Sequence, residues 1–315
     1  MPITQKQLSH ALSLARHGNF TQAAEESNLS QPALSRSIKN LEQTLGVPLF
    51  DRGAPNVVPT RYGDAFLQRA RSIVADTQEL RREIGLMRGL DTGHLAVALG
   101  MFPAEVSGNR ALGKMISEYP GLTYRAQVGN WAMVSQQILS READLGFALT
   151  NSAKTDERLS VDPVSQHEMV LFCRKDHPLA GCGRLMQADL DQFPLVTIRA
   201  PAELADMIPG RFRIDGRSGL LVPSVEVDNF ATVRETVRLS DSISAAVPLQ
   251  IEAELDAGEF VLLNYQRPWL APEHGFILLK GRSINPAAEK YMETVRDFEH
   301  QAEAVNSRVR EKFLP

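Results

Sequence analysis

Between Phe20 and Phe50 the chain reads FTQAAEESNLSQPALSRSIKNLEQTLGVPLF, and this spacing leaves little freedom in how it folds. Phe20–Glu26 has the make-up of a short helix with Thr21 near its start. Ser27, Asn28 and Leu29 supply a turn. Ser30 can cap a second helix, with Pro32 in its first turn, where a missing N–H costs nothing. Leu34, Ile38, Leu41 and Leu45 then recur at spacings of four, three and four, which is one buried helical face, and Gly46 ends it. Two short helices about a tight turn, the second led by small and polar side chains, form the pattern that enters a DNA major groove.

The flanks extend this unit. Thr4 can cap a helix running to about Arg16, with Leu8, Ala11, Leu12 and Ala15 in one stripe and Gly18-Asn19 as its stop. Residues 49–60 hold Gly53, Pro55, Pro59 and two valines, which suits a short two-stranded wing. After Gly63 a long helix is expected to about Met87. Its apolar positions Phe66, Ala70, Ile73, Thr77, Leu80, Ile84 and Met87 alternate at four and three, a heptad seam suited to pairing two chains. Residues 89–93 are then expected to form a hinge.

Beyond the hinge the texture changes. Short apolar strands are expected at 95–100, 122–129, 143–149, 169–175, 193–198, 224–228, 243–248 and 260–265, with helices of roughly ten residues between several of them. That alternation implies a mostly parallel sheet covered on both faces. From Pro286 to about Lys312 a last helix carries Ala288, Tyr291, Val295, Phe298, Ala302, Val305 and Val309 on one seam. Its first half is expected to pack on the preceding domain and its second half to extend beyond it.

Charge separates the two parts. The net charge is −4, yet residues 1–90 hold 11 basic against 8 acidic side chains and the remainder 23 against 30. A mildly basic head on an acidic body fits a DNA-binding module joined to another function. Chain length allows two or three domains, and no apolar run is long enough to span a membrane. The first residues lack a signal peptide's apolar core, so a cytoplasmic location is expected. Two cysteines, Cys173 and Cys182, make no disulfide framework, and Cys173 in an apolar strand reads as an inert buried thiol. Seven histidines are scattered without metal-ligand spacing, and no nucleophile elbow, phosphate loop or dinucleotide fingerprint occurs. No catalytic residue, metal or cofactor is therefore expected. The alternative of an α/β enzyme with an accessory DNA-binding head lacks a catalytic constellation to support it.

For DNA, Gln31, Ser35 and Arg36 can reach base edges or phosphates, and Pro32 and Ala33 can meet thymine methyls. Thr21 and Ser30, at helix starts, suit phosphate oxygens, while Lys39 and Arg52 add sequence-independent attraction.

The first 65 residues closely resemble the DNA-binding head of LysR-type transcriptional regulators. The residues that carry the likeness are Phe20, Ala23, Ala24, Leu29, the run Ser30-Gln31-Pro32-Ala33-Leu34-Ser35, Ile38, Leu41-Glu42, Leu45-Gly46, Leu49-Phe50, Arg52, Thr60 and Gly63. Gly93, Tyr119-Pro120, Asp144-Leu145-Gly146 and Asp176-His177-Pro178-Leu179-Ala180 extend it more sparsely through the body. The resemblance implies an α+β multidomain chain: a winged helix-turn-helix at 1–62, a dimerising linker helix at 63–88 and a two-lobed α/β domain of periplasmic-binding-protein type at 89–315. Lobe I would hold residues 91–163 and 267–315, and lobe II residues 164–266. It further implies a double-stranded DNA operator, a small-molecule effector between the lobes, assembly as a homodimer or homotetramer, and contact with RNA polymerase if the protein activates.

In that fold the cleft is rimmed by strand ends and helix N-termini, so the candidate effector positions are Gly100, Met101, Phe102, Asn130, Trp131, Thr197 and Arg199. Relatives commonly carry a hydroxyl just after the first strand, where this chain has Gly100-Met101-Phe102. With Trp131 opposite, that change points to an aromatic or apolar acid. Two further departures stand out: no basic residue lies near 54–56 in the wing, and Ser240-Asp241-Ser242 replaces a glycine-rich stretch.

Overall fold

A capping box starts the chain's first helix. The Thr4 side chain accepts from the Gln7 N–H, and the Gln7 side chain accepts in return from Thr4 N. The computed structural model describes residues 3–51, 57–86, 93–201, 205, 208, 212–216, 219–265 and 271–314, without the side chains of 78, 79 and 81–86. Contacts divide the chain into two units, 1–84 and 85–315.

In the first unit α1 (Gln5–His17), α2 (Phe20–Glu26) and α3 (Gln31–Leu45) enclose a small core of Ala11, Leu14, Ala23, Leu34, Ile38 and Leu41. Gly18 at φ 61° and Gly46 at φ 73° end α1 and α3 in left-handed caps. The Ser13 hydroxyl donates to Ala23 O and to Glu26, fastening α1 to α2. The expected wing is present as β1 (Phe50–Asp51) antiparallel to β2 (Val58–Pro59). Glu42 holds its root, its carboxylate accepting from Leu49 N at 2.8 Å and Phe50 N at 3.2 Å. Then α4 (Arg61–Leu86) begins ahead of Gly63, three residues earlier than the sequence suggested. Gly63 lies inside it, and glycine is needed there because a Cβ would collide with the Leu49 carbonyl. Met87 and the expected hinge at 89–93, apart from Gly93, lie outside the described residues.

The second unit opens with β3 (Gly93–Gly100), a helical turn α5 (Met101–Pro103) and a π-helical turn at Ala104–Gly108 that runs into α6 (Asn109–Glu118). There follow β4 (Leu122–Gly129), α7 (Trp131–Leu139), β5 (Leu145–Leu149), α8 (Asn151–Lys154) and β6 (Leu159–Gln166). The chain then crosses to a second lobe, which holds β7 (Val170–Arg174), α9 (Gln187–Leu190), β8 (Val196–Thr197), β9 (Arg213–Ile214), β10 (Leu221–Val222), β11 (Val225–Glu226), α10 (Phe230–Leu239), β12 (Ser244–Ala246), α11 (Glu252–Asp256) and β13 (Phe260–Leu262). It returns through β14 (Glu273–Leu279) and ends in α12 (Pro286–Phe313).

The first lobe's sheet has the order β4-β3-β5-β14-β6. Only β4, β3 and β5 are mutually parallel; β14 runs antiparallel to both its neighbours. The second lobe's three-stranded sheet, β12-β7-β13, is antiparallel throughout. The expectation of a mostly parallel sheet is thus corrected: the returning strand β14 enters from the far lobe and must run the opposite way. Cys173 is fully buried in β7, where burial pushes its thiol up to about 12, out of thiolate range. The serines of 240–244 turn inward: Ser240 donates to Thr236 O at 2.6 Å and Ser244 to Val196 O at 2.6 Å.

The last helix departs most from expectation. Its first half packs Ala288, Tyr291 and Val295 into the first lobe, as the seam predicted. Its second half does not extend beyond the domain: Ala302 and Val309 join the core of the second lobe. Between the two halves sits Glu299, 5% exposed. It accepts from Ser107, and His167 Nε2 lies 2.5 Å from its second oxygen. Asn306 Nδ2 reaches His167 Nδ1 at 3.3 Å, and Asn306 Oδ1 accepts from Leu249 N at 2.9 Å. Burial alone would push the Glu299 carboxyl up, but hydrogen bonds from His167 and Ser107 outweigh it and hold it down, so it is ionised at neutral pH.

This makes a stability prediction. His167→Ala strands a buried carboxylate and is expected to cost about 3–5 kcal/mol in chemical denaturation. Because the folded carboxyl titrates below its ordinary value, its stabilisation is present above the normal carboxylate range and is lost as pH falls below it. A His167→Ala protein as stable as the parent at pH 7, or a parent stability indifferent to acid in that window, would contradict the role given to Glu299.

Candidate functional site

The exposed front of α3 is the first candidate surface. Gln31, Pro32, Ala33, Arg36 and Lys39 are exposed and Ser35 is half-buried, while Leu34, Ile38 and Leu41 are turned inward. Ser30 stands at the N-cap with extended backbone, yet its hydroxyl makes no capping bond. Pro32 lies in the first turn. Pro32 has no N–H, and Ala33 N bonds Ser30 O at 3.0 Å, so the Ser30 hydroxyl is left without a capping role at the positive end of the helix dipole. Among the described residues neither Arg36 nor Lys39 has an ion-pair partner, so both cations remain available to an anionic polymer. Thr21 is exposed at the start of α2, where Asn19 takes its backbone N–H at 2.7 Å and leaves the hydroxyl outward. Asn28, at φ 52°, sets the turn that aims α3. Arg52 lies outside the described residues.

Along α4 the seven seam positions divide. Phe66 is half-buried against the head's core and Ala70 is buried. Further on, Ile73 is 49% and Leu80 54% exposed, seven residues apart on one face, with Thr77 between them and its hydroxyl bonded to Ile73 O at 2.8 Å. Two large aliphatic side chains are thus left open at heptad spacing. The Ile84 side chain and Met87 lie outside what is described.

Between the lobes of the second unit lies a cleft with about 600 Å³ of empty space, its mouth included. Four of the seven expected effector positions line it: Phe102 and Trp131 from the first lobe, Thr197 and Arg199 from the second. The other three do structural work. Gly100 lets the end of β3 approach β5, since a Cβ would sit 3.2 Å from Ala148 Cα. Met101 is buried in the second lobe's core cluster. Asn130 caps α7, its side chain accepting from Met133 N at 2.9 Å. Of the residues that follow β3 and β4, Phe102 and Trp131 face the cleft, while Met101 in the turn α5 faces the core and Asn130 caps α7.

Met169, Leu171, Ala245 and His274 also line the cleft, and none of them carries a signal in the sequence. The wall is built mainly of aliphatic, aromatic and proline side chains. Arg199 is the described cation on it, held by Glu226 at 2.8 Å and Asp215 at 3.3 Å. Thr197 is 8% exposed, and among the described residues its hydroxyl has no hydrogen-bond partner. No group of residues able to hold a metal ion occurs among the described residues.

Both parts of the chain match known families. Residues 5–64 match the family model of the bacterial regulatory helix-turn-helix protein, lysR family, and residues 88–299 match the LysR substrate binding domain. A Pseudomonas protein named SDS degradation transcriptional activation protein is 36% identical over 289 residues, covering 90% of this chain and 92% of its own. A full-length OxyR variant from Pseudomonas aeruginosa shares the fold with a TM-score of 0.62 at 17% identity, over 94% of this chain and 95% of that one. Full-length CbnR, solved with its target DNA complex, matches with a TM-score of 0.59 at 20% identity, over 94% of this chain and all of the other.

Ser30 allows folding and binding to be separated. Its hydroxyl caps nothing, so Ser30→Ala should change the stability of the head by less than about 0.5 kcal/mol, below the usual cost of removing an N-cap. DNA affinity should nevertheless fall. A drop in melting temperature as large as that of an ordinary cap removal would show that the hydroxyl serves the helix instead.

Proposed function

We infer that this chain, which belongs to the LysR family of transcriptional regulators, binds its operator through two paired heads and is gated by an amphiphilic acid held between its lobes. The proposed division is a winged helix-turn-helix at 1–62, a linker helix at 63–88 and an effector domain at 89–315. The observation that carries the DNA reading is the front of α3, with Ser30 uncapped and Arg36 and Lys39 unpaired among the described residues. Gln31, Ser35 and Arg36 are assigned to base edges and phosphates, with Pro32 and Ala33 at thymine methyls. Thr21, Ser30, Lys39 and Arg52 are assigned to the backbone.

One head is short of charge, so it binds weakly by itself. Pairing through the α4 seam, with Ile73 and Leu80 at its centre, puts two heads on one operator and adds their affinities as a linked pair. Ligand in the cleft favours one lobe and subunit arrangement, and so alters how the pair engages DNA. The activity is binding rather than turnover, it is exercised on cytoplasmic DNA, and activation would proceed through contact with RNA polymerase.

The apolar wall with Phe102 and Trp131 on one side and Thr197 and Arg199 on the other supports an apolar or aromatic acid as effector. The Pseudomonas relative is named for SDS degradation, and SDS is an alkyl chain with an anionic head, the same combination. Decanoate and phenylacetate are suitable probes.

Two measurements test this reading. Arg36→Ala should weaken binding to DNA upstream of a neighbouring gene by roughly 1–3 kcal/mol at fixed salt, and an unchanged titration would reject its role. With Trp269 replaced by Phe, the emission of Trp131 should shift on adding decanoate or phenylacetate. Response to inorganic anions alone would remove the apolar-acid effector.

A further inference from the structure

The first-lobe side of the cleft carries one polar side chain for which the function just described has no use. His274 lies in β14, with its Cα opposite Leu149 of β5 and two residues from Pro272. All three line the cleft. Alternation along a strand puts His274 and Leu149 on the same face as Phe276 and Phe147, the face toward α12. His274 is 4% exposed, and among the described residues its imidazole makes no hydrogen bond. An imidazole this deeply placed keeps little contact with water, so a hydrogen bond to an arriving group is a net gain. Here the side open to the cleft is where a partner can arrive.

Its surroundings define that partner. The ionisable groups facing the ring are Glu299 from α12, His167 at the end of β6 and its chain neighbour Glu273. Glu273 is neutralised by Lys154 at 2.7 Å, and Glu299 is ionised inside its cage of donors. Burial drives the His274 imidazole down to about 4, so at neutral pH it carries no charge and offers one N–H and one lone pair. An anionic group placed there would meet the Glu299 carboxylate across a poorly screened interior. The acid end of a ligand therefore belongs at the opposite wall, toward Arg199 and Thr197.

We propose that His274 is a specificity-determining residue of the effector cleft, selecting ligands that carry an uncharged hydroxyl or carbonyl in addition to an apolar body and an acid group. This rests on the reading of the cleft as the site of an apolar acid, and extends it to a ligand with two polar points, one for each lobe. A ligand without the second oxygen leaves the imidazole unpaired, and a site built to hydrogen-bond a hydroxyl discriminates against the analogue lacking it.

The test compares matched probes on the full chain: decanoate with ω-hydroxydecanoate, and phenylacetate with para-hydroxyphenylacetate, by calorimetry. The parent protein should favour the hydroxylated member of at least one pair by about tenfold, the worth of one well-made hydrogen bond. His274→Phe should bind the plain acid undiminished and lose the preference. His274→Asn, which keeps a donor and an acceptor, should retain part of it. The preference should also stay level from about pH 6 to about pH 8, because the imidazole keeps one protonation state there. Equal affinity for both members of both pairs, or a preference that survives in His274→Phe, overturns the role of His274 while leaving the apolar-acid reading intact. Failure of every probe to bind overturns both.

Discussion

One buried charge governs the layout of the effector domain. An ionised carboxylate in a protein interior is tolerated only where donors surround it, and Glu299 meets that condition in one place. Ser107, on the π-helical turn after β3, supplies one donor, and His167, where the chain crosses between lobes, supplies another. Those fixed points set the rotation and the height of α12. Once set, the helix must send Ala288, Tyr291 and Val295 into one lobe and Ala302 and Val309 into the other. The last helix is therefore a brace across both lobes. The family match ends at residue 299, so the half of α12 that reaches the second lobe lies beyond it.

The head follows a different rule. Its core is small, and its order comes from ends rather than bulk: the Thr4 capping box, the Gly18 and Gly46 left-handed caps, and Glu42 at the root of the wing. At the front of α3 Pro32 brings no N–H and the Ala33 N–H bonds Ser30 O, so the Ser30 hydroxyl is not taken up as a cap.

That difference explains what could be read from the chain. The head was legible because its signals are local. Caps, a heptad of leucine and isoleucine, and glycine stops all lie within a few residues of what they determine. In the body, β3 was legible because Leu95 to Leu99 is an unbroken apolar run, and β4 because Pro120-Gly121 and Gly129-Asn130 bracket it. The strands β6 and β14 went unseen, because β6 contains Pro163 and β14 is specified by neighbours more than a hundred residues away. The seam of α12 was legible, but not what it would meet, since the second half finds its partner only after the chain has returned from the far lobe. The cleft was half legible for the same reason. Phe102, Trp131, Thr197 and Arg199 follow strand ends, whereas Met101 and Asn130 at equivalent ends turn to core and cap. His274 gave no signal in sequence, because what distinguishes it is the lack of a partner.

In the function proposed for this chain, a pair of heads joined along α4 reads one operator in a manner set by ligand in the cleft. The most direct measurement is a quantitative footprint of the full chain on DNA flanking its own gene, with and without saturating decanoate. The account predicts protection of two half-sites separated by whole turns of the duplex, with the occupancy of one of them or the extent of protection changing on ligand. A footprint confined to a single half-site, or one identical in both conditions, would contradict it.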